Sequence, residues 1–155
     1  MQFLGEAQFG GNSLAFTPNS GISNGCVKVF ATGELNAQAA DRRMLIRVNG
    51  AGAGYQGFVL MNGHAGAGEW DNSGFYSGRN GWGQDATFML EYTLAVGPTS
   101  QKITGTGQTT FAHGNNTIVG YETHGFLVTN QPLTRIEVIF TGGVVAGPPA
   151  RFYLF

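Results

Sequence analysis

Apolar and polar residues alternate along much of this 155-residue chain. In residues 43–49, every second side chain is apolar and the positions between are mainly polar. The same period of two runs through residues 86–94 and returns at residues 135–140. Side chains of an extended backbone point alternately to opposite faces, so this pattern predicts three strands that each have one buried face.

Other apolar stretches of strand length lie between turns rich in glycine, asparagine and proline. Helical periodicity is weak, and the best helical candidate, residues 36–41, has room for only about one or two turns. Many short strands without crossover helices predict an all-β antiparallel β-sandwich, jelly-roll-like in topology. No linker or repeat divides the chain, so residues 1–155 are predicted to form a single domain. The further strand candidates are residues 2–9, 13–17, 26–32, 55–61, 74–77, 101–106, 117–129 and 151–155.

The longest stretch without clear alternation is residues 63–85, and its glycine and aromatic content predicts an ordered loop packed on the sandwich. Within it, residues 69–85 bring both tryptophans together with arginine, amide and carboxylate side chains. Flat aromatic faces beside such groups suit a sugar or a protein partner. The alternative is that the tryptophans only anchor the loop. The candidate ligand or partner contacts are Trp70, Asp71, Tyr76, Arg79, Asn80 and Trp82.

Charge narrows the range of partners. Charged residues make up 11% of the chain, compared with about 25% in an average domain. The chain has eight lysines and arginines and nine aspartates and glutamates, which gives a formal net charge of -1. This balance gives no basic surface for a nucleic acid or an anionic membrane. Low charge also suits a protein that buries part of its outside in an assembly.

The sequence gives little evidence for a metal or cofactor site. Cys26 is the only cysteine, which excludes an internal disulfide and a thiolate cluster, and we expect it to be buried. His64, His113 and His124 show no metal-ligand spacing and are expected on loops or strand faces. No cofactor, metal or catalytic residue is therefore predicted.

The chain is not predicted to be an enzyme, because it lacks a nucleophile elbow, a phosphate-binding loop before a helix and a zinc-protease motif. One catalytic alternative rests on Glu69 and Asp71. Side chains two apart in an extended segment lie on one face about 7 Å from each other, within the roughly 5–10 Å that separates the two carboxylates of a glycosidase. A broader version adds Asp85 and a histidine.

Taken together, the chain resembles the small jelly-roll and related β-sandwich domains of tailed-bacteriophage virion proteins, such as tail fibres, tail tips and head decorations. The resemblance rests on strands such as residues 88–92 and 136–140, set between turns such as residues 49–54 and 147–149. The aromatic end, residues 151–155, would suit a final strand that closes the sheet. This resemblance implies a virion component.

We therefore expect a virion structural protein that contacts other virion subunits and attaches to a host surface, as a homo-oligomer with a trimer favoured. Residues 1–6 lack the basic and apolar segments of a signal peptide, so we expect synthesis in the host cytoplasm and a final place in the virion. The alternative is a lectin-like module that binds a cell-surface glycan through the Trp-rich loop, residues 69–85.

Overall fold

The computed structural model describes residues 1–62, 68–97 and 101–155. It confirms the predicted all-β antiparallel, jelly-roll-like β-sandwich, and strands make up the regular structure of the described residues. None of these residues lies in a helix long and apolar enough to cross a membrane. The strands are β1 (Gln2–Ala7), β2 (Ser13–Phe16), β3 (Gly25–Asn36), β4 (Arg43–Val48), β5 (Tyr55–Asn62), β6 (Gly68–Asp71), β7 (Phe75–Arg79), β8 (Ala86–Val96), β9 (Lys102–His113), β10 (Ile118–Val128), β11 (Ile136–Phe140), β12 (Val144–Ala146) and β13 (Ala150–Leu154).

Two sheets form the sandwich. The large sheet has the order β1-β13-β3-β8-β9-β10-β5-β6, with β12 also paired to β3, and the small sheet has the order β2-β11-β4-β7. All of these pairings are antiparallel. Because the chain passes repeatedly between the sheets, residues distant in sequence become neighbours on one face.

The core lies between the sheets and is rich in aromatic rings. Phe140 of the small sheet packs edge-on against Phe88 and Phe111 of the large sheet, with ring centroids 5.1 and 6.4 Å apart. At the β1 end, Phe16 stacks on Phe152 at 4.2 Å. Burying each of these side chains contributes about 1.5–3 kcal/mol to folding, so rings from both sheets hold the two layers together.

The three strands with the clearest alternation are confirmed as β4, β8 and β11, and every further strand candidate overlaps an observed strand. Two of the three shortest strands, β6 and β12, were not predicted from the sequence. Residues 36–41 form no helix: Asn36 ends β3, and Gln38 and Ala39 follow with φ angles of 54° and 58° in the left-handed region.

The prediction of one long loop over residues 63–85 is wrong for the part that the structure describes. Strand β6 extends the large sheet there, and β7 belongs to the small sheet. Of residues 63–67, which include His64, nothing is described. Strand β6 was missed because it is four residues long and turns two carboxylates, Glu69 and Asp71, toward the side where alternation predicts apolar residues.

Candidate functional site

Strand pairing places three rings in one row on the outer face of the large sheet. Phe58 of β5 pairs with Trp70 of β6 on one side and with His124 of β10 on the other. Their neighbours Gly57 and Val59 point to the buried face, so Phe58 and its two partners point outward. We call Trp70, Phe58 and His124 the aromatic platform.

The rings of the aromatic platform lie side by side. The Phe58 centroid is 5.0 Å from Trp70 and 5.4 Å from His124, with interplanar angles of 38° and 33°. Trp70 is 62% exposed, and Phe58 and His124 are half-buried. Together with Gln56 and Phe126 they line a mainly apolar depression of about 600 Å³.

A polar cleft lies on the other side of Trp70. It has a volume of about 540 Å³, and Trp70 and Gln56 line both this cleft and the apolar depression. A ligand against the indole would therefore meet an apolar surface on one side and charged and amide groups on the other. The remaining residues of the polar cleft are Arg43, Asp71, Asn72 and Ser73.

An ion pair joins the two sheets in the polar cleft. The Nη1 group of Arg43 donates to Asp71 Oδ2 at 2.8 Å and to the carbonyl of Trp70 at 3.1 Å. Burial works to raise the pKa of Asp71, but hydrogen bonds from the Ser73 hydroxyl and amide, together with Arg43, lower it overall. Asp71 is therefore an ionised acceptor at neutral pH, held beside a fixed cation.

A second network lies under β6. Glu69 accepts hydrogen bonds from the Tyr76 hydroxyl at 2.8 Å and from Arg79 Nε at 3.1 Å, and Arg79 Nη1 pairs with Asp41 at 2.8 Å. The backbone of Arg79 is held as well, because the Tyr121 hydroxyl donates to the Arg79 carbonyl at 2.7 Å. Burial and the bond to Glu69 raise the pKa of Tyr76, which remains a neutral donor. These contacts fix β6 and, with it, the position of Trp70.

The structure divides the predicted contact residues between surface and interior. Trp70 is exposed, Asp71 and Arg79 are half-buried in ion pairs, and Tyr76 and Asn80 are fully buried. Tyr76 supports Glu69, as described above. Asn80 ties neighbouring loops together: its side chain accepts from the Arg42 amide at 2.6 Å and donates to the Gln84 carbonyl at 2.7 Å.

Trp82 lies apart from Trp70. It is 54% exposed in a tight turn with a positive φ of 53°, and its ring packs edge-on against His113 at 5.9 Å. His113 is seven residues along β9 from Thr106, the residue that pairs with His124. At about 3.3 Å per residue this is roughly 23 Å, so the two tryptophans belong to different surfaces.

The carboxylates of the catalytic alternative are engaged elsewhere. Glu69 and Asp71 are bound to different arginines, Arg79 and Arg43. The lowered pKa of Asp71 is the opposite of what a general acid needs. Asp85 accepts a hydrogen bond from the Ala37 amide at 2.8 Å. Within the described ranges, no three His, Cys, Asp or Glu side chains are grouped to hold a metal ion.

The remaining sequence expectations concern Cys26 and two histidines. Cys26 is half-buried rather than buried, because it lies on the outer face of β3 opposite Ala95. His124 lies on a strand face. His113 is buried and bridges the Thr117 hydroxyl at 2.8 Å and the Asn80 carbonyl at 2.5 Å, a structural role.

Sequence analysis did not identify Phe58, His124, Phe126, Gln56 or Arg43 as site residues. A signal was present in the alternation itself. The buried face of β5 carries Tyr55, Val59 and Met61, yet the opposite, solvent-facing side carries Phe58 and Leu60. Apolar residues on the outward face of an alternating strand indicate a contact surface.

No protein-family model and no curated protein sequence matches the chain. Among solved structures, a homodimeric agglutinin from chicken liver is 10% identical, with 90% of this chain and 98% of that chain covered and a TM-score of 0.37. A toad ovary galectin, solved with thio-digalactose, is 9% identical over 92% and 99%, with a TM-score of 0.33. A legume lectin-like domain from Entamoeba histolytica is 10% identical over 97% and 82%, with a TM-score of 0.16. At these values, any function must be argued from the site itself.

Proposed function

We propose that this chain is a carbohydrate-binding module without catalytic activity, and that the sugar binds on the outer face of the large sheet against Trp70. The observation that carries the proposal is the aromatic platform, three outward rings side by side on adjacent strands, one of them 62% exposed. This surface replaces the Trp-rich loop as the proposed binding site, because only one of the two tryptophans contributes to it.

The chemistry on both sides of Trp70 matches a pyranose ring. One face of a sugar ring presents C–H groups that pack on an indole, and its rim presents hydroxyls that need donors and acceptors. Arg43 offers donors, Asp71 offers acceptors and Gln56 offers both. A protein partner would use the rings equally well, but the cleft of fixed polar groups immediately beside them favours a small polyhydroxylated ligand.

The direct test is a glycan array followed by titration of the hits with tryptophan fluorescence as the signal. We expect binding to at least one neutral glycan, with a fluorescence change that Trp70→Ala removes. Loss of stacking on one aromatic ring corresponds to about 1 kcal/mol or more, so affinity should fall at least about fivefold.

Trp82→Ala is the matched control, because Trp82 is also an exposed tryptophan but lies on another surface. It should leave both affinity and the fluorescence change intact. The proposal fails if no glycan binds, or if Trp82→Ala abolishes binding while Trp70→Ala does not.

The virion role, attachment to host cells and the homo-oligomer with a favoured trimer remain predictions. One observation favours an assembly role: large apolar side chains that do not belong to the aromatic platform are also exposed, among them Ile118 and Val128 at 62% each and Val144 at 47%. Subunit contacts would cover such residues. Light scattering across a concentration series tests this, because a stable trimer would support the assembly role and a monomer at every concentration would contradict it.

A further inference from the structure

The row of paired residues that contains the aromatic platform continues across the whole large sheet. His124 pairs with Thr106, Thr106 with Thr93, Thr93 with Lys28, Lys28 with Tyr153 and Tyr153 with Phe3. All of these residues share the outer face, because each is paired with its neighbour in register. From β6 to β1 the row crosses seven strand spacings, or about 34 Å.

A second group of rings lies at the far end of this row. The Tyr153 ring is 5.4 Å from Phe3 and 5.9 Å from Phe30, and the Lys28 ammonium lies 5.7 Å from the Phe30 centroid and 5.9 Å from that of Phe155. Phe3 and Phe155 are 53% and 57% exposed. We call Phe3, Phe30, Tyr153 and Phe155 the far cluster.

The surface between the two groups of rings is polar and shallow. A groove of about 230 Å³ is lined there by hydroxyl, amide and charged side chains, including Thr106, Thr93 and Gln108. Its charges are mixed in sign, since Lys28, Glu91 and Glu122 all line the groove, and Glu122 Oε1 lies 3.2 Å from His124 Nε2. A strongly anionic or cationic ligand has no complementary surface here, whereas a neutral, hydroxyl-rich ligand does.

We propose that the outer face binds an extended neutral polysaccharide that crosses the strands from the aromatic platform, through the polar groove, to the far cluster. This inference rests on the proposed function and adds the length and charge of its ligand. Stacking surfaces at the two ends of a row about 34 Å long, with hydrogen-bonding groups between them, match a chain of several sugar units rather than a terminal mono- or disaccharide.

The test is isothermal titration of the full chain with neutral oligosaccharide ladders of glucose, galactose, mannose and N-acetylglucosamine, each extending from the disaccharide to about the octasaccharide. In at least one ladder, affinity should rise with length by about tenfold or more, equivalent to about 1.4 kcal/mol. An anionic ladder prepared from heparin should not bind more tightly than the best neutral one.

Phe3→Ala separates the two ends of the path. This variant should lower the affinity for the longest oligosaccharide about tenfold and leave the affinity for the disaccharide unchanged. Trp70→Ala should weaken the binding of both oligosaccharides. Met89→Ala is the matched control: Met89 is 52% exposed on the same face of β8, four residues along the strand from Thr93 and therefore about 13 Å off the path. It should bind both lengths like the unaltered chain.

The possible failures are distinguishable. If no oligosaccharide of any ladder binds, the proposed function itself is wrong. If the shortest and longest oligosaccharides bind equally well and both depend on Trp70, the carbohydrate site stands and the extended path is overturned. If Phe3→Ala and Met89→Ala weaken long-chain binding equally, the far cluster is not a subsite and the inference is likewise overturned.

Discussion

Arg43 of the small sheet donates a 2.8 Å hydrogen bond to Asp71 in the edge strand of the large sheet, and the same nitrogen donates to the carbonyl of Trp70. The Arg43 guanidinium also lies 4.6 Å from the centroid of the buried Tyr76 ring. Burial by itself would lower the pKa of Arg43, but the hydrogen bond to Asp71 raises it overall. One cation thus joins the two sheets at the residue that carries the exposed indole.

Replacing this cation should loosen the site. We expect Arg43→Met to lower the free energy of unfolding by about 1–2 kcal/mol, because Asp71 would keep its charge without its charged donor. It should also weaken glycan binding, since β6 and Trp70 lose a fixed contact. Urea denaturation and the fluorescence titration measure the two effects.

A matched variant is Arg135→Met, which removes the Arg135–Glu137 pair at 3.2 Å. Arg135 is 48% exposed at its side chain and directly precedes β11, at the opposite end of the β4–β11 pair from Arg43. Exposed pairs contribute about 0–1 kcal/mol, so this variant should lose less stability and no affinity. Equal losses in the two variants would contradict the role given to Arg43.

Sequence reasoning reached the fold because alternation is a local property. Strands β4, β8 and β11 each carry their buried face in consecutive residues, so the sandwich could be predicted without knowing which strands are neighbours. The site could not be found in the same way. Phe58 and His124 are 66 residues apart in sequence and become neighbours only through the pairing of β5 with β10, and strand order is not encoded in any local pattern.

Residues 69–85 illustrate the same limit within one segment. Aromatic and charged residues are concentrated there in the sequence, but proximity in sequence does not imply proximity in space. In the structure, β6 joins the large sheet and β7 the small sheet. Trp70 and Trp82 consequently face different surfaces, and Tyr76 between them is buried.

Gly57 makes room for the backbone that follows β6. A Cβ at this position would lie 3.0 Å from the Gly74 carbonyl oxygen and the Tyr76 amide nitrogen, and 3.3 Å from the Asp71 carbonyl oxygen. These are backbone atoms that cannot move independently. We expect Gly57→Ala to lower the free energy of unfolding by about 1–3 kcal/mol, as measured by urea denaturation.

The control for this substitution is Gly52→Ala. A Cβ at Gly52 meets no atom within 4 Å, and its φ lies outside the left-handed region. Alanine should therefore be neutral there, or stabilising by up to about 1 kcal/mol through the unfolded chain. A Gly57→Ala variant as stable as Gly52→Ala would mean that the segment after β6 does not pack on β5 as described.

Asp71 should give the protein a specific sensitivity to acid. Its pKa is lower in the folded chain than the value of about 3.9 in an unfolded one. The stabilisation is therefore complete above that ordinary value and is lost as the pH falls through the lowered one. We expect the stability difference between the unaltered chain and Asp71→Asn to be constant from pH 7 to about pH 5 and to shrink below about pH 4.

Urea denaturation at a series of pH values measures this difference. Glu6→Gln serves as the comparison, because Glu6 is exposed and pairs with Arg151 only at 3.8 Å. Its stability difference should stay close to zero throughout the same range. A gap for Asp71→Asn that widens on acidification would contradict the direction of the pKa shift.

The buried tyrosines should make the fold sensitive to alkali. Burial raises the pKa of Tyr55, Tyr76, Tyr92 and Tyr121, in the last case to about 12. Since an unfolded tyrosine titrates near pH 10, the stabilisation from a raised pKa is complete below that pH and is lost as the pH rises toward the folded value. For Tyr121 alone the loss at pH 11 is on the order of 1 kcal/mol. Tyrosinate absorbance from these four side chains should therefore appear in the same pH range as unfolding. Circular dichroism, measured in parallel, follows the unfolding. In Tyr121→Phe the alkaline loss of stability should be smaller, and tyrosinate formation by all four while the fold stays intact would contradict their burial.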